Sequence, residues 1–320
     1  MTAGAPDVVT CGEAMMLLLA EPGVPLARSW QFRRSVAGAE SNVAIGLARL
    51  GHPVRFIGAV GDDPAGDVVL QVLRGEGVDV AAVRVDPDAP TGLLLRDCHA
   101  ERGIDVQYYR AGSAASLMSP DRVAVPAGTR IVHVTGITAM LSDSAYATTL
   151  RLIDAAREAG ALLSFDPNVR HKLGGRDRWR AVVAPLLERA DLVVAGSEEL
   201  EMLTGEGGER SVTRLRAAGV RTVVVKHPDK SAVLTTEGGR WAQPAFAVRV
   251  TDPVGAGDAF AAGLLSAILR GLPPERMLAE AAAVAALVVA SASDIDGLPT
   301  AAERSRALSR FTDNTESVNR

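Results

Sequence analysis

Residues 251–260, Thr-Asp-Pro-Val-Gly-Ala-Gly-Asp-Ala-Phe, place two glycines and an aspartate where an extended segment turns into a helix. The preceding residues, 246–250, predict a strand, and apolar residues recur at helical spacing after Ala256. The first N–H groups of a helix have no partner within it, and glycines let a ligand approach the backbone closely. The stretch therefore predicts an anion site at the start of this helix.

Asp258 is the residue of this stretch that an anion site alone does not explain. A carboxylate beside a bound phosphate repels it, unless the carboxylate takes a proton from the group that attacks the phosphate. The alternative is that Asp258 is only a favourable acid in the first turn of a buried helix. The local pattern leaves both interpretations open.

The composition of the 320-residue chain, 48% hydrophobic and 22% charged, is typical of a packed protein. Net charge is -4 and basic residues are interspersed with acidic ones, so we expect no nucleic acid partner. Cys11 and Cys98 are too few for a disulfide framework, and no Cys/His spacing resembles a zinc site. No apolar run could span a membrane and no signal-peptide pattern is present, so we expect a cytoplasmic protein without a membrane partner.

Strand and helix patterns alternate along most of the chain, which predicts an α/β fold with a mostly parallel central sheet. Strands are expected at 7–12, 54–60, 131–135, 161–165, 191–195 and 222–226, and helices at 43–50, 67–73, 144–159, 177–189, 209–218, 256–270, 275–291 and 301–310. Residues 231–235 and 240–250 predict a closing antiparallel portion. Because there is no internal repeat or low-complexity linker, we expect a single domain over 1–311 and a disordered tail over 312–320.

Two segments interrupt this alternation with strands that no helix separates. Residues 15–36 predict extended structure, and residues 91–110 predict a hairpin with a turn-rich centre at 99–103. Together the two segments supply enough strands for a small separate sheet. We expect this sheet to form a lid over the active cleft.

Polar residues that could bind a substrate lie near this predicted lid. Gly38 and Asn42 stand at a helix start, where Asn42 can bond sugar hydroxyls or simply cap the helix. Tyr108 and Arg110 share one face of a lid strand, which suits a substrate with a carboxylate, or they are a packed Tyr and a surface Arg. Asp294 could bind a hydroxyl or belong to a plain turn.

Two further segments follow predicted strands, where ligands bind in open parallel sheets. Asp166, Asn168 and Arg170 come after one strand; the alternative there is an Asx turn with a solvent-exposed Arg. Glu198 and Glu199 come after another and open a helix. Either they are acids favoured at a helix start, or they help to hold hydrated Mg²⁺.

Taken in order, these segments resemble the ribokinase-like (PfkB) carbohydrate kinase family over nearly the whole chain, from about residue 8 to 299. Two signatures carry the resemblance: residues 36–51 with 60–66, and residues 252–260. Within the family, the likeness is greatest to kinases of 2-keto-3-deoxygluconate, on motifs such as Tyr108-Tyr-Arg-Ala-Gly-Ser113 and Phe165-Asp-Pro-Asn-Val-Arg170.

The resemblance implies a three-layer α/β/α domain with a mostly parallel central sheet and a small β-sheet lid. It implies ATP-dependent phosphorylation of the terminal hydroxyl of a sugar acid, here 2-keto-3-deoxygluconate to its 6-phosphate. ATP, Mg²⁺ and a monovalent cation such as K⁺ are the expected cofactors. The lid of the family commonly makes the dimer contact, so we expect a homodimer or a larger homo-oligomer.

The resemblance also assigns a role to each site residue. Asp258 is the catalytic base, and the anion hole is formed by Gly255, Ala256 and Gly257. The sugar acid is assigned to Gly38, Asn42, Tyr108, Arg110, Arg170 and Asp294. The nucleotide is assigned to Asn168, Ser197, Lys226, Gly255 and Gly257, and a metal ion, through water, to Glu199.

Three positions depart from the family pattern, all where the nucleotide is expected. The usual Gly-rich loop is replaced by His227-Pro-Asp-Lys-Ser-Ala232, which has no glycine. Gly196 stands where an Asn-x-x-Glu motif would have Asn, and Ala282 takes a position often held by Asn near the adenine. These departures bear on nucleotide affinity and donor preference, because the anion hole and the base are unchanged.

Arg110 favours an acidic substrate, because a neutral sugar leaves its charge without a partner. The alternatives within the family are a fructokinase, a ribokinase or another sugar or nucleoside kinase. An alternative of another class is a non-catalytic sugar or nucleotide sensor, which the altered loop at 227–232 motivates.

Overall fold

The computed structural model describes residues 4–98 and 103–318, with side chains as far as residue 311. The turn expected at 99–103 therefore lies almost entirely outside the described residues. The strands are β1 (Val8–Cys11), β2 (Met15–Ala20), β3 (Phe32–Ala37), β4 (Val54–Gly61), β5 (Asp79–Asp86), β6 (Leu93–Arg96), β7 (Val106–Tyr109), β8 (Ile131–Thr135), β9 (Leu162–Asp166), β10 (Leu192–Gly196), β11 (Thr222–Lys226), β12 (Ala232–Thr236) and β13 (Gly239–Gln243). The helices are α1 (Ala39–Arg49), α2 (Pro64–Gly75), α3 (Gly136–Leu141), α4 (Asp143–Glu158), α5 (Arg176–Leu187), α6 (Ser197–Thr204), α7 (Glu209–Ala217), α8 (Ala256–Leu269), α9 (Pro274–Val289) and α10 (Ala301–Val318).

The main sheet has nine strands in the order β13-β12-β11-β10-β9-β8-β1-β4-β5. All pairs from β11 to β5 are parallel, and β12 and β13 close the sheet antiparallel. Parallel pairing follows from the helical crossovers and gathers the carboxyl ends of these strands at one edge. The predicted α/β fold with a mostly parallel sheet is confirmed.

Helices cover both faces of this sheet and bury it. One core packs α1, α2, α8 and α9 against the strands, with residues such as Ile45, Leu264 and Val284 inaccessible to solvent. The other core lies under α4 to α7, where Leu152 and Trp179 are equally buried. No helix within the described residues is long and apolar enough to cross a membrane.

A second sheet, which we call the lid, has the order β3-β2-β6-β7. β2 pairs antiparallel with β3 and parallel with β6, and β6 and β7 form the predicted antiparallel pair. A small apolar cluster that includes Leu17, Leu19 and Leu94 stabilises this sheet. The two strand-only segments of the sequence therefore form one sheet separate from the main one.

Several elements differ from the sequence-based predictions, among them α3 (Gly136–Leu141), where no helix was predicted. β5 was not predicted, because most of its residues are half-buried and give no clean alternation. The strand predicted at 246–250 is absent: the chain leaves β13 at the sheet edge and runs irregularly until the Thr251 N–H donates to the Val289 carbonyl (2.7 Å). α10 continues to Val318, beyond the predicted end at residue 310 and through most of the expected tail.

Candidate active site

A cavity of about 550 Å³ lies between the lid and the start of α8; we call it the lid cavity. Tyr108 and Val106 of lid strand β7 line one side of it, and loops at the carboxyl edge of the main sheet line the other. The residues predicted from sequence that line it are Gly38, Asn42, Tyr108, Arg110, Asn168, Arg170, Glu199, Lys226, Gly255, Ala256, Gly257, Asp258 and Asp294. Of the residues to which the resemblance assigns a role, only Ser197 lies outside it; the strand-end candidates Asp166 and Glu198 do not line it either.

The turn before α8 has the conformation that the sequence requires of an anion site. Gly255 has φ 83° and precedes the helix, so its left-handed backbone turns the first N–H groups toward the cavity. A Cβ at Gly255 would lie 2.9 Å from the Asp294 carbonyl oxygen, which excludes larger residues. The Asp252 carboxylate accepts a hydrogen bond from the Val254 N–H (3.0 Å) and so fixes the turn.

Asp258 is buried, with 8% of its surface exposed, and two amides hold its carboxylate. The side-chain N–H groups of Asn42 and Asn168 donate to Oδ2 (2.9 Å) and Oδ1 (3.2 Å). The sequence assigned Asn42 to the sugar and Asn168 to the phosphates. In the structure both amides orient Asp258 and both residues line the lid cavity, so their contacts with the sugar and the phosphates stay predictions.

Burial raises the pKa of Asp258 to about 7, and the hydrogen bond from Asn42 acts in the opposite direction. A carboxylate with such a pKa is a stronger base than an exposed one and is still ionised in part at neutral pH. The simpler interpretation of Asp258 as a first-turn helix acid does not explain two side-chain amides directed at it. Its environment is that of a general base.

Asn168 adopts a left-handed backbone with φ 46°, which is unusual for a residue other than glycine. Its N–H donates to the Asp166 carboxylate (2.9 Å), whose other oxygen accepts from Lys226 (3.0 Å). The turn after β9 is thus an Asx turn, as the alternative interpretation proposed, and it also carries a residue into the site. Backbone strain of this kind is commonly found at functional sites.

Arg110 forms an ion pair inside the lid cavity with Glu13, a residue that the sequence analysis did not assign to the site. The Glu13 side chain is 1% exposed and also accepts a hydrogen bond from the Ser113 hydroxyl (2.5 Å). The Arg110 guanidinium lies 5.4 Å from the centre of the Tyr108 ring, so both residues face the cavity as predicted. However, the argument that a neutral sugar leaves Arg110 unpaired is wrong, because Glu13 already neutralises it.

Arg170 differs from Arg110 in its partners. Its guanidinium donates to two backbone carbonyls, those of Val169 (3.1 Å) and Asn168 (3.4 Å). Among the described residues, no carboxylate lies within ion-pair distance of it. Arg170 therefore has no ion-paired carboxylate within the described ranges, although its charge acts at longer range on Asp258 and opposes the burial that raises the pKa of that carboxyl. It lines the cavity where an anionic group of a ligand could bind.

Asp294 also has a partner that the sequence analysis did not anticipate. Arg96, on lid strand β6, is 1% exposed and pairs with Asp294 (2.5 Å) and with Asp252 (2.7 Å). Burial raises the pKa of Asp294 and the Arg96 guanidinium counteracts this. Asp294 lines the cavity as predicted, held there by a buried cation.

Glu40 also lines the cavity; it lies within the signature at residues 36–51, but the sequence analysis assigned it no role. It is 1% exposed, and its Oε1 accepts hydrogen bonds from the hydroxyls of Thr135 (2.7 Å) and Thr138 (2.6 Å). Burial raises the pKa of this carboxyl group. Strand β8 and helix α3 thereby close the floor of the lid cavity.

On the other side of the α8 start lies a second cavity of about 420 Å³, which we call the outer pocket. It is lined by backbone, small side chains and a few polar groups, among them Gly196, Ser197, Lys226, His227, Lys230, Gly257, Phe260 and Ala285. The loop of 227–232 forms a tight turn, closed by the His227 N–H donating to the Ser231 carbonyl (2.9 Å). Lys230 has φ 68°, so the turn retains a glycine-like backbone without a glycine.

Glu199 uses both carboxylate oxygens within the protein. They accept from the N–H groups of Val169 (2.7 Å) and Gly196 (2.7 Å), which caps α6 and ties it to the loop after β9. No group of three or more His, Cys, Asp or Glu side chains in the described part of the chain could hold a metal ion. The helix-capping interpretation of Glu199 is confirmed, and its contact with a metal through water stays a prediction.

A buried carboxyl with a raised pKa beside a glycine-rich helix start, under a β-sheet lid, fits the site of a phosphoryl-transfer enzyme. The chain belongs to the pfkB family of carbohydrate kinases, whose family model matches residues 5–301. The predicted family, fold and enzyme class are thereby confirmed.

Individual relatives agree with this assignment. The chain is 38% identical over 304 residues to the 2-dehydro-3-deoxygluconokinase of Bacillus subtilis (strain 168), covering 92% of this chain and 93% of that protein. It is 33% identical over 316 residues to fructokinase-1 of Zea mays, covering 95% and 98%. The crystal structure of a PfkB protein from Polaromonas sp. JS666 superposes with a TM-score of 0.84 at 37% identity, covering 94% and 99%.

Proposed function

We propose that the protein transfers the terminal phosphoryl group of ATP to the terminal hydroxyl of a sugar acid, 2-keto-3-deoxygluconate. The observation that carries the proposal is Asp258: a buried base at the start of α8, facing the lid cavity, with its pKa raised to about 7. A phosphoryl group bound at Gly255–Gly257 and a hydroxyl beside Asp258 would meet at this point.

The acidic substrate is supported by the charge of Arg170. An arginine directed at a ligand cavity without a carboxylate partner favours an anion there. A relative 38% identical to this chain, a 2-dehydro-3-deoxygluconokinase, has a sugar acid as the substrate in its name. A neutral sugar such as fructose is the second candidate, because Glu13 neutralises Arg110 and a fructokinase is also among the relatives.

The reaction needs little covalent chemistry from the chain. Asp258 takes the hydroxyl proton as the oxygen attacks, while Asn42 and Asn168 hold its carboxylate in place. The N–H groups at the start of α8 stabilise the negative charge of the transferring group. The lid excludes water from the cavity and so suppresses hydrolysis.

The residues present fit ATP and Mg²⁺. The anion-binding turn and Lys226 border both cavities, so phosphates could be held there with the nucleoside in the outer pocket. Mg²⁺ prefers phosphate oxygens and water to an all-protein cage, and this suits a site without a cluster of acidic ligands among the described residues. ATP supplies the phosphoryl group; a requirement for K⁺ remains part of the proposal.

A cytoplasmic homodimer formed through the lid is proposed as well. Trp30, beside lid strand β3, is 95% exposed, and Tyr109 on β7 is 63% exposed. Large aromatic side chains on a surface are enriched at protein contacts. Light scattering of the wild type and of a Trp30→Ser variant tests this contact; a monomeric wild type would exclude it.

A coupled ATP assay across 2-keto-3-deoxygluconate, fructose, ribose and nucleosides, in K⁺ and in Na⁺ buffers, tests the proposed function. We expect the highest kcat/KM with the sugar acid. A higher kcat/KM with fructose would establish the second candidate. Sugar binding without turnover of any substrate would instead indicate a non-catalytic sensor.

A further inference from the structure

Arg96 is the most buried charged side chain of the lid, and its guanidinium joins two carboxylates of the main domain. Nη1 lies 2.7 Å from Asp252 Oδ2 and Nη2 lies 2.5 Å from Asp294 Oδ1, while Asp252 itself is fully buried. Two carboxylates that close to each other in a buried site repel unless a cation lies between them. Arg96 supplies this cation from another sheet.

Both carboxylates contact the anion-binding turn. Asp252 accepts the Val254 N–H (3.0 Å) and so shapes the turn leading to Gly255. On the other side, the Asp294 backbone packs so closely on Gly255 that a Cβ there would lie 2.9 Å from the Asp294 carbonyl oxygen. The Arg96 guanidinium therefore bonds both residues that fix Gly255: Asp252, which shapes the turn, and Asp294, whose backbone packs against it.

The lid is attached to the same region a second time. Arg33, on β3, pairs with Asp296 and donates to the Ala292 carbonyl (3.3 Å). This second link is about half exposed, so water screens its charges, whereas the Arg96 links are buried. The two arginines form a matched pair for experiment: both join the lid to residues 291–296, and only Arg96 reaches the turn.

We propose that Arg96 is a positioning residue that couples the lid to the anion hole: it holds Asp252 and Asp294 in place and so sets the position of the Gly255 turn during phosphoryl transfer. This inference rests on the proposed function of the site. It assigns to the lid a role in organising the phosphate-binding backbone, in addition to covering the substrate.

The geometry predicts how Arg96 variants behave. Arg96→Ala removes the only cation seen between Asp252 and Asp294 among the described residues, so the turn loses its fixed position. We expect kcat to fall about 100-fold, the usual cost of a misplacement of about 1 Å. Arg96→Lys keeps the charge without the forked geometry, and we expect a fall of about tenfold, since lysine can bond fewer partners at once.

Guanidinium rescue distinguishes this role from a merely structural one. Arg96 lines the lid cavity, so a small cation can enter the space that Arg96→Ala leaves. We expect millimolar guanidinium to raise kcat of Arg96→Ala by about tenfold, while methylammonium and K⁺ at equal ionic strength do not. Arg33→Ala is the control, with kcat within about twofold of the wild type and no response to guanidinium.

Kinetic constants within threefold of the wild type in Arg96→Ala would overturn the proposal. So would a loss of kcat in Arg96→Ala that no concentration of guanidinium recovers while the variant stays folded.

A thermal measurement keeps this proposal separate from the proposed function. Low concentrations of guanidinium should raise the thermal unfolding midpoint of Arg96→Ala. The midpoint of the wild type should stay the same or fall. Neither result depends on which substrate the enzyme uses. A wild type inactive with every sugar would refute the function but not this effect. Should Arg96→Ala fail to fold, Arg96→Lys with wild-type kcat would overturn the positioning role.

Discussion

The two sides of the α8 start are built differently. Toward the lid cavity, buried side chains bond one another: Asp258 with two amides, Arg110 with Glu13, and Arg96 with two carboxylates. Toward the outer pocket, the chain presents glycine backbone, small side chains and charged side chains such as Glu198 and Lys230, with a turn whose residues 228–230 are exposed. Asp258 and Arg96 are buried and bonded to other side chains, whereas Glu198 and Lys230 beside the outer pocket are exposed. We therefore expect substitutions to have larger effects on the lid side.

This contrast bears on the departure from the family pattern in the loop at 227–232. The turn at 227–232 is closed by backbone hydrogen bonds, and Lys230 takes up the left-handed conformation that a glycine would otherwise provide. Side-chain identity matters little where the backbone makes the contacts. On the lid side, by contrast, Asp258, Arg110 and Arg96 are each bonded to specific side chains, and substitutions of these residues should have larger effects.

The largest effect is expected for Asp258→Asn. Without the base, kcat should fall by about 10²–10⁴, while KM for ATP changes little, because the anion hole is backbone. Asp67→Asn is the matched control, an exposed acid in the first turn of α2, and should retain wild-type kcat. Near-normal turnover of Asp258→Asn would show that Asp258 is only a first-turn helix acid.

The next effect concerns the charge of Arg170. Arg170→Met should raise KM for 2-keto-3-deoxygluconate by about 10–100-fold, the cost of losing a charged hydrogen bond, and leave KM for fructose within about twofold. Steady-state kinetics with both substrates measure the difference. Equal losses with the acidic and the neutral sugar would show that Arg170 does not bind the carboxylate.

Glu13→Gln should act in the opposite direction on selectivity. It removes a negative charge beside Arg110 but keeps an oxygen that can accept from Ser113. The kcat/KM ratio of the sugar acid over fructose should rise by about fivefold, equivalent to roughly 1 kcal/mol. A falling ratio would indicate that Glu13 binds the sugar acid itself rather than limiting the charge of Arg110.

The smallest effect is expected in the outer pocket. Lys230→Gly suits the existing left-handed backbone and removes only an exposed side chain. We expect KM for ATP to change by less than about threefold and kcat to stay the same. A tenfold loss of kcat would contradict the claim that side chains matter less around the outer pocket than in the lid cavity.

The sequence predicted much of the fold and the individual members of the site. Parallel strands and the lid follow from hydrophobic periodicity and from the absence of helices between lid strands, both of which are local signals. β5 was not predicted because most of its residues are half-buried, so apolar and polar residues do not alternate regularly along it. The strand expected at 246–250 is absent because the chain leaves the edge of the sheet after β13 and runs to α9, where the Thr251 N–H donates to the Val289 carbonyl.

The pairing of site residues could not be predicted, for a physical reason. Glu13 pairs with Arg110, and Arg96 pairs with Asp252 and Asp294, across large separations in sequence that only the folded chain brings together. A local pattern identifies an arginine but not its counter-charge. For the same reason, the sequence did not reveal that Asn42 and Asn168 both bond Asp258.

The pH dependence of kcat/KM tests the central claim most directly, because that claim is a buried Asp258 acting as the base. With the pKa of Asp258 at about 7, the protonated fraction grows as pH falls, so kcat/KM should decline about tenfold per pH unit below pH 7. The residual activity of Asp258→Asn should lack this limb. A wild-type profile that stays flat from about pH 5 to 8, or an unchanged limb in Asp258→Asn, would contradict the account.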